Sequence, residues 1–164
     1  MYTKDILIME YGHDILSSDL FREGYTQQHH KVSTVANHSL NVAAEALAYC
    51  MRKQFDDVAF LRKVVVACLY HDLGIIDRTK YSTKLRCWRE HPLDSVSIYV
   101  GAESVVEEDV AYAIANHMRF KSIFSKNKIL RIVWYADKKA SIKERLQKNY
   151  GKSMICSDFF ENVA

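Results

Sequence analysis

The chain has 164 residues, of which 49% are hydrophobic and one is proline, and it carries a net charge of +3 at neutral pH. That mass suits one globular domain with a full core, no compositional shift marks a second, and residues 1–164 are read as a single domain. The positive balance is too small to imply specific binding of nucleic acid, and the most apolar run, VVVACLY, is closed in by Arg62, Lys63 and His71, well short of the roughly 20 residues that span a bilayer.

Hydrophobic periodicity predicts helices nearly throughout, with no sustained alternation that would give strands. A first helix is expected over 3–18, followed by a connector around Glu23 to His30 that contains Gly24. A long helix follows over 33–53, with Ser33 or Thr34 as its N-cap. Asp56 or Asp57 opens the next, which carries LRKVVVACLYHD and stops near Gly74, a residue suited to the left-handed conformation after a helix end. The polar and basic stretch from Ile75 to Glu90 reads as a loop, and His91-Pro92 as the start of a helix with proline in its first turn, ending near Gly101. Two more helices are expected over 105–118 and 127–148, and the last dozen residues are read as fraying or docking. The fold class is all-α.

Polar residues fall inside the apolar stripes of these helices. Val35, His38, Val42 and the Ala46/Leu47 pair share a face at helical spacing, so His38 points inward. Leu61, Val64, Cys68, His71 and Asp72 continue one face of the following helix; Val110, Ile114 and His117 repeat the pattern, as do Leu130, Val133, Trp134 and Asp137. A lone inward histidine is ordinarily a core residue bonded to a carbonyl, and an HD dipeptide alone is a common accident. Asp137 is harder to set aside, because a carboxylate in an apolar stripe needs a cation or several donors to offset its desolvation. Imidazoles and carboxylates converging from separate helices form a donor set for a divalent ion such as iron, manganese or zinc, and one shared ion accounts for all of them.

Four cysteines (Cys50, Cys68, Cys87 and Cys156) show no C-x-x-C spacing, and the N-terminal MYTKDILIMEYGHD carries acids where a signal peptide has basic and then apolar residues. A cytoplasmic protein with reduced thiols is the expectation. Basic residues cluster in two places: Arg78, Lys80, Lys84, Arg86 and Arg89, then Lys138, Lys139, Lys143, Arg145, Lys148 and Lys152. They read either as solvated helix faces or as the rim of an anion site.

With His38, His71-Asp72 and Asp137 in that order, the sequence resembles the HD superfamily of metal-dependent phosphohydrolases across about residues 29–145. ANHSLNVA is similar to the first motif helix of that family, YHDLG to the second motif and WYADKKAS to the last. The resemblance implies a helical bundle of about six to seven helices. It also implies that His38, His71, Asp72 and Asp137 hold one metal ion, while Asp72 bridges to a second held by His91 and His117, with His71 and Asp72 at the catalytic centre. Iron, manganese and zinc are the ions implied, with magnesium a further candidate. QQHHKVSTVANHS resembles members with a Q-H-G-type segment before the first motif histidine, which makes His30 a candidate ligand or phosphate contact with Lys31 in place of the glycine. The H-D-x-G-K and G-Y-P elements of the cyclic-di-GMP phosphodiesterase branch are absent.

The implied activity is hydrolysis of a phosphate ester on a small molecule, a nucleotide foremost. Arg78, Lys84, Arg86, Arg89, Arg119 and Lys138 are the available phosphate donors, with Arg86, Arg89 and Arg119 preferred for their closeness in sequence to His91 and His117 and for the bidentate contacts of arginine. Two other classes compete: a regulatory domain that binds metal and nucleotide without turnover, and a di-iron oxygenase. The extra histidines favour an enzyme over a closed structural site, and the basic residues favour an anionic substrate over an oxidised diol. Partners are expected to be phosphorylated small molecules rather than membranes or nucleic acid, and a homo-oligomer is compatible with the sequence.

Overall fold

A computed structural model describes residues 4–30 and 32–146; the side chain of His30 lies outside that description. It contains seven α-helices: α1 (Lys4–Ser17), α2 (Asp19–Glu23), α3 (Val35–Arg52), α4 (Val58–Tyr70), α5 (Lys84–Ala102), α6 (Glu108–Asn116) and α7 (Lys128–Leu146). Short 3-10 turns at Leu73–Ile75, Arg78–Lys80 and Phe120–Phe124 link the second half. The fold is all-α. Among the described residues the strands are those of a two-stranded antiparallel ribbon, β1 (Gln28–His30) with β2 (Ser33–Thr34), which the sequence pattern did not announce because each strand is too short to show alternation. The expectation for the last dozen residues falls outside the described residues.

Side-chain caps set most of the helix starts. Thr34 accepts a hydrogen bond from the Asn37 N–H (3.3 Å), Asp57 from Phe60 (3.1 Å), Thr83 from Arg86 (3.1 Å) and Asn127 from Leu130 (2.9 Å), each satisfying a donor that has no partner within its helix. α3 is the central element and packs against both α4 and α7, while α1 covers α4. Small buried residues at the crossings, Ala36, Ala43 and Ala46 on α3, Ala67 on α4 and Ala136 and Ala140 on α7, let these helices approach closely. Leu40, Leu47, Leu69 and Leu130 fill the layers between them. None of the described helices is long and apolar enough to cross a membrane.

Two expectations about the middle of the chain are corrected. The segment after Ile75 is not a loop as far as Glu90: α5 begins at Lys84 under the Thr83 cap, so Pro92 lies well inside the helix rather than in its first turn. Within the basic run, Arg86 lies on the solvated face of that helix, paired with Glu90 one turn on (2.7 Å). Pro92 has no N–H to offer the Trp88 carbonyl, a loss that one helical position tolerates when the rest of the helix is packed.

Gly74 is the second correction. No described glycine has a positive φ, and α4 already ends at Tyr70. Gly74 is required instead for close approach: its N–H donates to Ser95 Oγ (2.9 Å), and a Cβ there would lie 2.4 Å from the His91 carbonyl oxygen and 2.8 Å from the Ser95 nitrogen. The glycine seats the turn after the HD pair directly on α5. Gly74→Ala is expected to cost about 1–3 kcal/mol, the range for overpacking a tight core. A thermal melt should show a drop of several degrees, at roughly 2–4 °C per kcal/mol for a chain of this size; an unchanged melt would show that the turn has room to move.

Candidate metal centre

Asp72 sits where α4 has ended and the Leu73–Ile75 turn begins, 3% exposed, with five imidazoles around it. Its two oxygens divide them. Oδ1 lies 3.2 Å from His91 Nε2 and 3.3 Å from His117 Nε2; Oδ2 lies 3.3 Å from His29 Nε2, 3.4 Å from His71 Nε2 and 3.7 Å from His38 Nε2. Asp137, from the middle of α7, joins the second group with Oδ1 at 3.3 Å from His38 Nε2. The candidate ligand atoms of His38, His71 and Asp137 lie within 4.8 Å of one another, as do those of His71, Asp72 and His117, and those of His29, His38 and Asp72.

Helical geometry orients the rings. His71, His91 and His117 each aim Nδ1 at a backbone carbonyl three or four residues earlier, those of Cys68 (2.6 Å), Cys87 (2.9 Å) and Ile114 (2.7 Å). A neutral ring that donates from Nδ1 presents a lone pair at Nε2, and in all three that nitrogen faces Asp72. His71 Nε2 finds no hydrogen-bond partner among the described residues. The His91 and His117 Nε2 atoms stand 3.4 Å apart. Two facing lone pairs repel unless a cation lies against both, and neutral imidazole with anionic oxygen is the donor chemistry of divalent transition metals. The residues present therefore fit such ions.

Burial and neighbouring charge set the protonation states. Burial pushes His71 down to about 4, outweighing the nearby Asp72 charge, so its ring is neutral across the physiological range. Burial acts equally on His38, but the hydrogen bonds to Asp137 and Glu144 and the charge of Asp72 together raise it to about 10. Burial likewise opposes ionisation of Asp72 and Asp137, yet the surrounding imidazoles, joined at Asp137 by Lys138, hold both carboxyls well below the usual range. Both carboxylates are charged, as ligands must be.

All six residues expected as ligands, His38, His71, Asp72, His91, His117 and Asp137, are thus brought together, and the structure adds two that sequence reasoning missed. His29, on the ribbon, is one of them: its ring packs 4.4 Å from that of His38, centroid to centroid, while the expected role of His30 falls on a side chain outside the described residues. Glu144 is the other. It is fully buried, with both carboxylate oxygens 3.1 Å from His38 Nδ1, and it accepts from Asn41 Nδ2 at 2.9 Å. Asp137, Ala140 and Glu144 share the inner face of α7 at helical spacing, which was a legible signal. Glu144 orients the His38 ring as an outer partner. Glu144→Gln is expected to weaken metal binding by roughly 10- to 100-fold, the usual cost of losing such a partner, measured by calorimetric titration; unchanged affinity would make Glu144 a packing residue.

The cationic side chains are placed differently from expectation. A cavity of 690 Å³ opens onto Asp72, His91 and Asp137, and its basic lining is Arg78, Lys84, Lys138 and Arg145. Lys138 Nζ lies 2.7 Å from Asp137 Oδ2. Arg86 instead points into solvent and pairs with Glu90, while Arg89 and Arg119 line a neighbouring cavity of 710 Å³. The cause is the early start of α5. On a helix, Lys84, Cys87, Trp88 and His91 share one face, so positions 86 and 89 turn away from the residue they were expected to accompany.

Comparison with protein-family models matches the HD domain over residues 35–142. No curated protein and no solved structure matches the chain.

Proposed function

Because the chain belongs to the HD-domain family, we propose that it is a metal-dependent phosphohydrolase acting on a phosphate ester of a small molecule, foremost a nucleotide. The observation that carries this reading is the division of the Asp72 carboxylate, one oxygen towards His91 and His117 and the other towards His29, His38 and His71. His38, His71, Asp72 and Asp137 would hold one ion, Asp72, His91 and His117 a second, with His29 able to serve beside His38. Iron, manganese or zinc suits this imidazole-rich set better than magnesium, which favours oxygen ligands and retained waters. When bound, such ions supply an acidified water and Lewis-acid polarisation of a phosphoryl oxygen.

The chain's own residues do the rest. Asp72 and Asp137 hold negative charge at the centre, and the cavity above them is cationic. Arg78, Lys84, Lys138 and Arg145 would bind and orient a phosphate group and balance the charge that develops on its oxygens. A panel of phosphomonoesters, phosphodiesters and diphosphates, assayed with protein loaded with manganese, iron or zinc, tests the reading. Hydrolysis of at least one class is expected. Failure on every class by protein shown to contain metal would contradict it and leave a regulatory domain.

His38 gives this reading a pH signature. Its Nε2 proton, held at pH 7 by Asp137 while Glu144 holds the one on Nδ1, must leave before Nε2 can ligate, and the raised value of about 10 keeps the ring doubly protonated through the neutral range. Metal loading at pH 7 should therefore release about one proton from this residue, and affinity should rise with pH towards 10. Calorimetry in buffers of different ionisation enthalpy measures the release; a buffer-independent enthalpy would show that His38 is already neutral.

A further inference from the structure

The cavity beside the metal centre has a composition of its own. Its walls are Trp88, Tyr112, Phe120 and Phe124, it carries the cations Arg89, Arg119 and Lys121, and no acidic residue lines it among those described. Phe120 and Phe124 are about four-fifths exposed and Trp88 half exposed, far more aromatic surface than folding requires at one spot. Trp88 and Met118 also line the cavity of the metal centre, so the two spaces meet across this shared wall. Helix α5 explains the junction: Trp88 stands one turn before His91, with its ring at the boundary between the spaces.

Resting on the phosphohydrolase reading, we propose that this second cavity is the subsite for the planar aromatic end of the substrate, a nucleobase stacked against Trp88 and Phe120 while its phosphate lies at the metal centre. Aromatic faces provide stacking, and the guanidinium groups of Arg89 and Arg119 add cation–π contact to the face of a base. A second copy of the chain is a poorer occupant, because it would have to cover three uncompensated positive charges at the centre of its interface.

Kinetics and binding test the assignment together. In a Trp134→Phe background Trp88 is the only remaining tryptophan, and its fluorescence reports on the subsite. The probes are hydrolysis-resistant phosphonate analogues of the four ribonucleoside 5′-monophosphates and of ribose 5-phosphate, added to the metal-loaded protein. At least one nucleotide analogue should quench Trp88 saturably and bind roughly 5- to 150-fold more tightly than the ribose analogue, the range for stacking one base on an aromatic side chain. Phe120→Ala should remove most of that difference, raising KM for the nucleotide and leaving ribose 5-phosphate unaffected. Equal binding of nucleotide and ribose analogues, or full discrimination surviving in both Phe120→Ala and Trp88→Phe, overturns the subsite even if phosphate esters are hydrolysed. Base-dependent binding by a protein that hydrolyses none would instead sustain the subsite and sink the phosphohydrolase reading. Sedimentation of the same variants covers the other occupant: a Phe120→Ala protein that changes its association state and not its nucleotide binding assigns the face to a second copy and overturns the proposal.

Discussion

Asp72→Ala is expected to lose more metal and more activity than any other single substitution in this protein. Its carboxylate is the one group within 3.2–3.7 Å of all five clustered histidines, through two oxygens that face different rings. Removing it leaves both proposed ion positions short of an anionic ligand and leaves Asp137 as the one carboxylate, among the described residues, facing His38 Nε2. The loss should exceed the roughly 10- to 100-fold typical of an outer-partner substitution. His91→Ala touches only the Oδ1 side, so His38, His71, Asp72 and Asp137 remain as a set and partial function should persist. Metal content and kcat/KM measured on both variants decide the matter. Equal losses of activity with metal content unchanged in each would contradict the bridging role of Asp72.

Chelation should produce the second large effect. Ligand atoms from the ribbon, α3, the end of α4, α5, the end of α6 and α7 gather around Asp72, so ions bound there tie most of the fold together. Binding to the folded state alone stabilises by about 2.7 kcal/mol at a hundredfold excess over Kd and about 4.1 kcal/mol at a thousandfold. Stripping the metal should then lower Tm by roughly 5–16 °C, at about 2–4 °C per kcal/mol for a chain of this length. Adding manganese, iron or zinc should restore it. A Tm indifferent to both treatments would mean that the cluster gains nothing from metal when folded.

The residues that reach the centre were legible where helical periodicity placed them. His38, His117 and Asp137 each fall in an apolar stripe, and a 3.6-residue repeat is enough to turn them inward. His29 was less legible because the ribbon that carries it is only a few residues long. Arg86 and Arg89 were misplaced for a different reason. Proximity in sequence predicts proximity in space along a loop, whereas along a helix it predicts divergence, and the Thr83 cap that starts α5 early was outweighed by the polarity of the segment and by Pro92. Glu144 went unread although its spacing from Asp137 was plain, since an acid in a basic, solvated-looking helix end gives no hint that Asn41 and His38 await it from α3. Gly74 was read as a left-handed helix end, whereas its role is close packing on α5, which no local pattern announces because the contact comes from a helix about 20 residues away.

The most direct test of a metal centre at the HD pair is elemental analysis of protein purified without added metal, wild type beside the double variant His71→Gln/Asp72→Asn. Glutamine and asparagine keep approximate size and hydrogen bonding and remove good ligands, so circular dichroism should show both proteins helical. Wild type is expected to carry one or two transition-metal ions per chain and the double variant none, with the Tm of the variant close to that of chelated wild type. A wild-type protein that is free of metal and shows no thermal shift with manganese, iron or zinc would contradict the account, as would a double variant that keeps its full metal content.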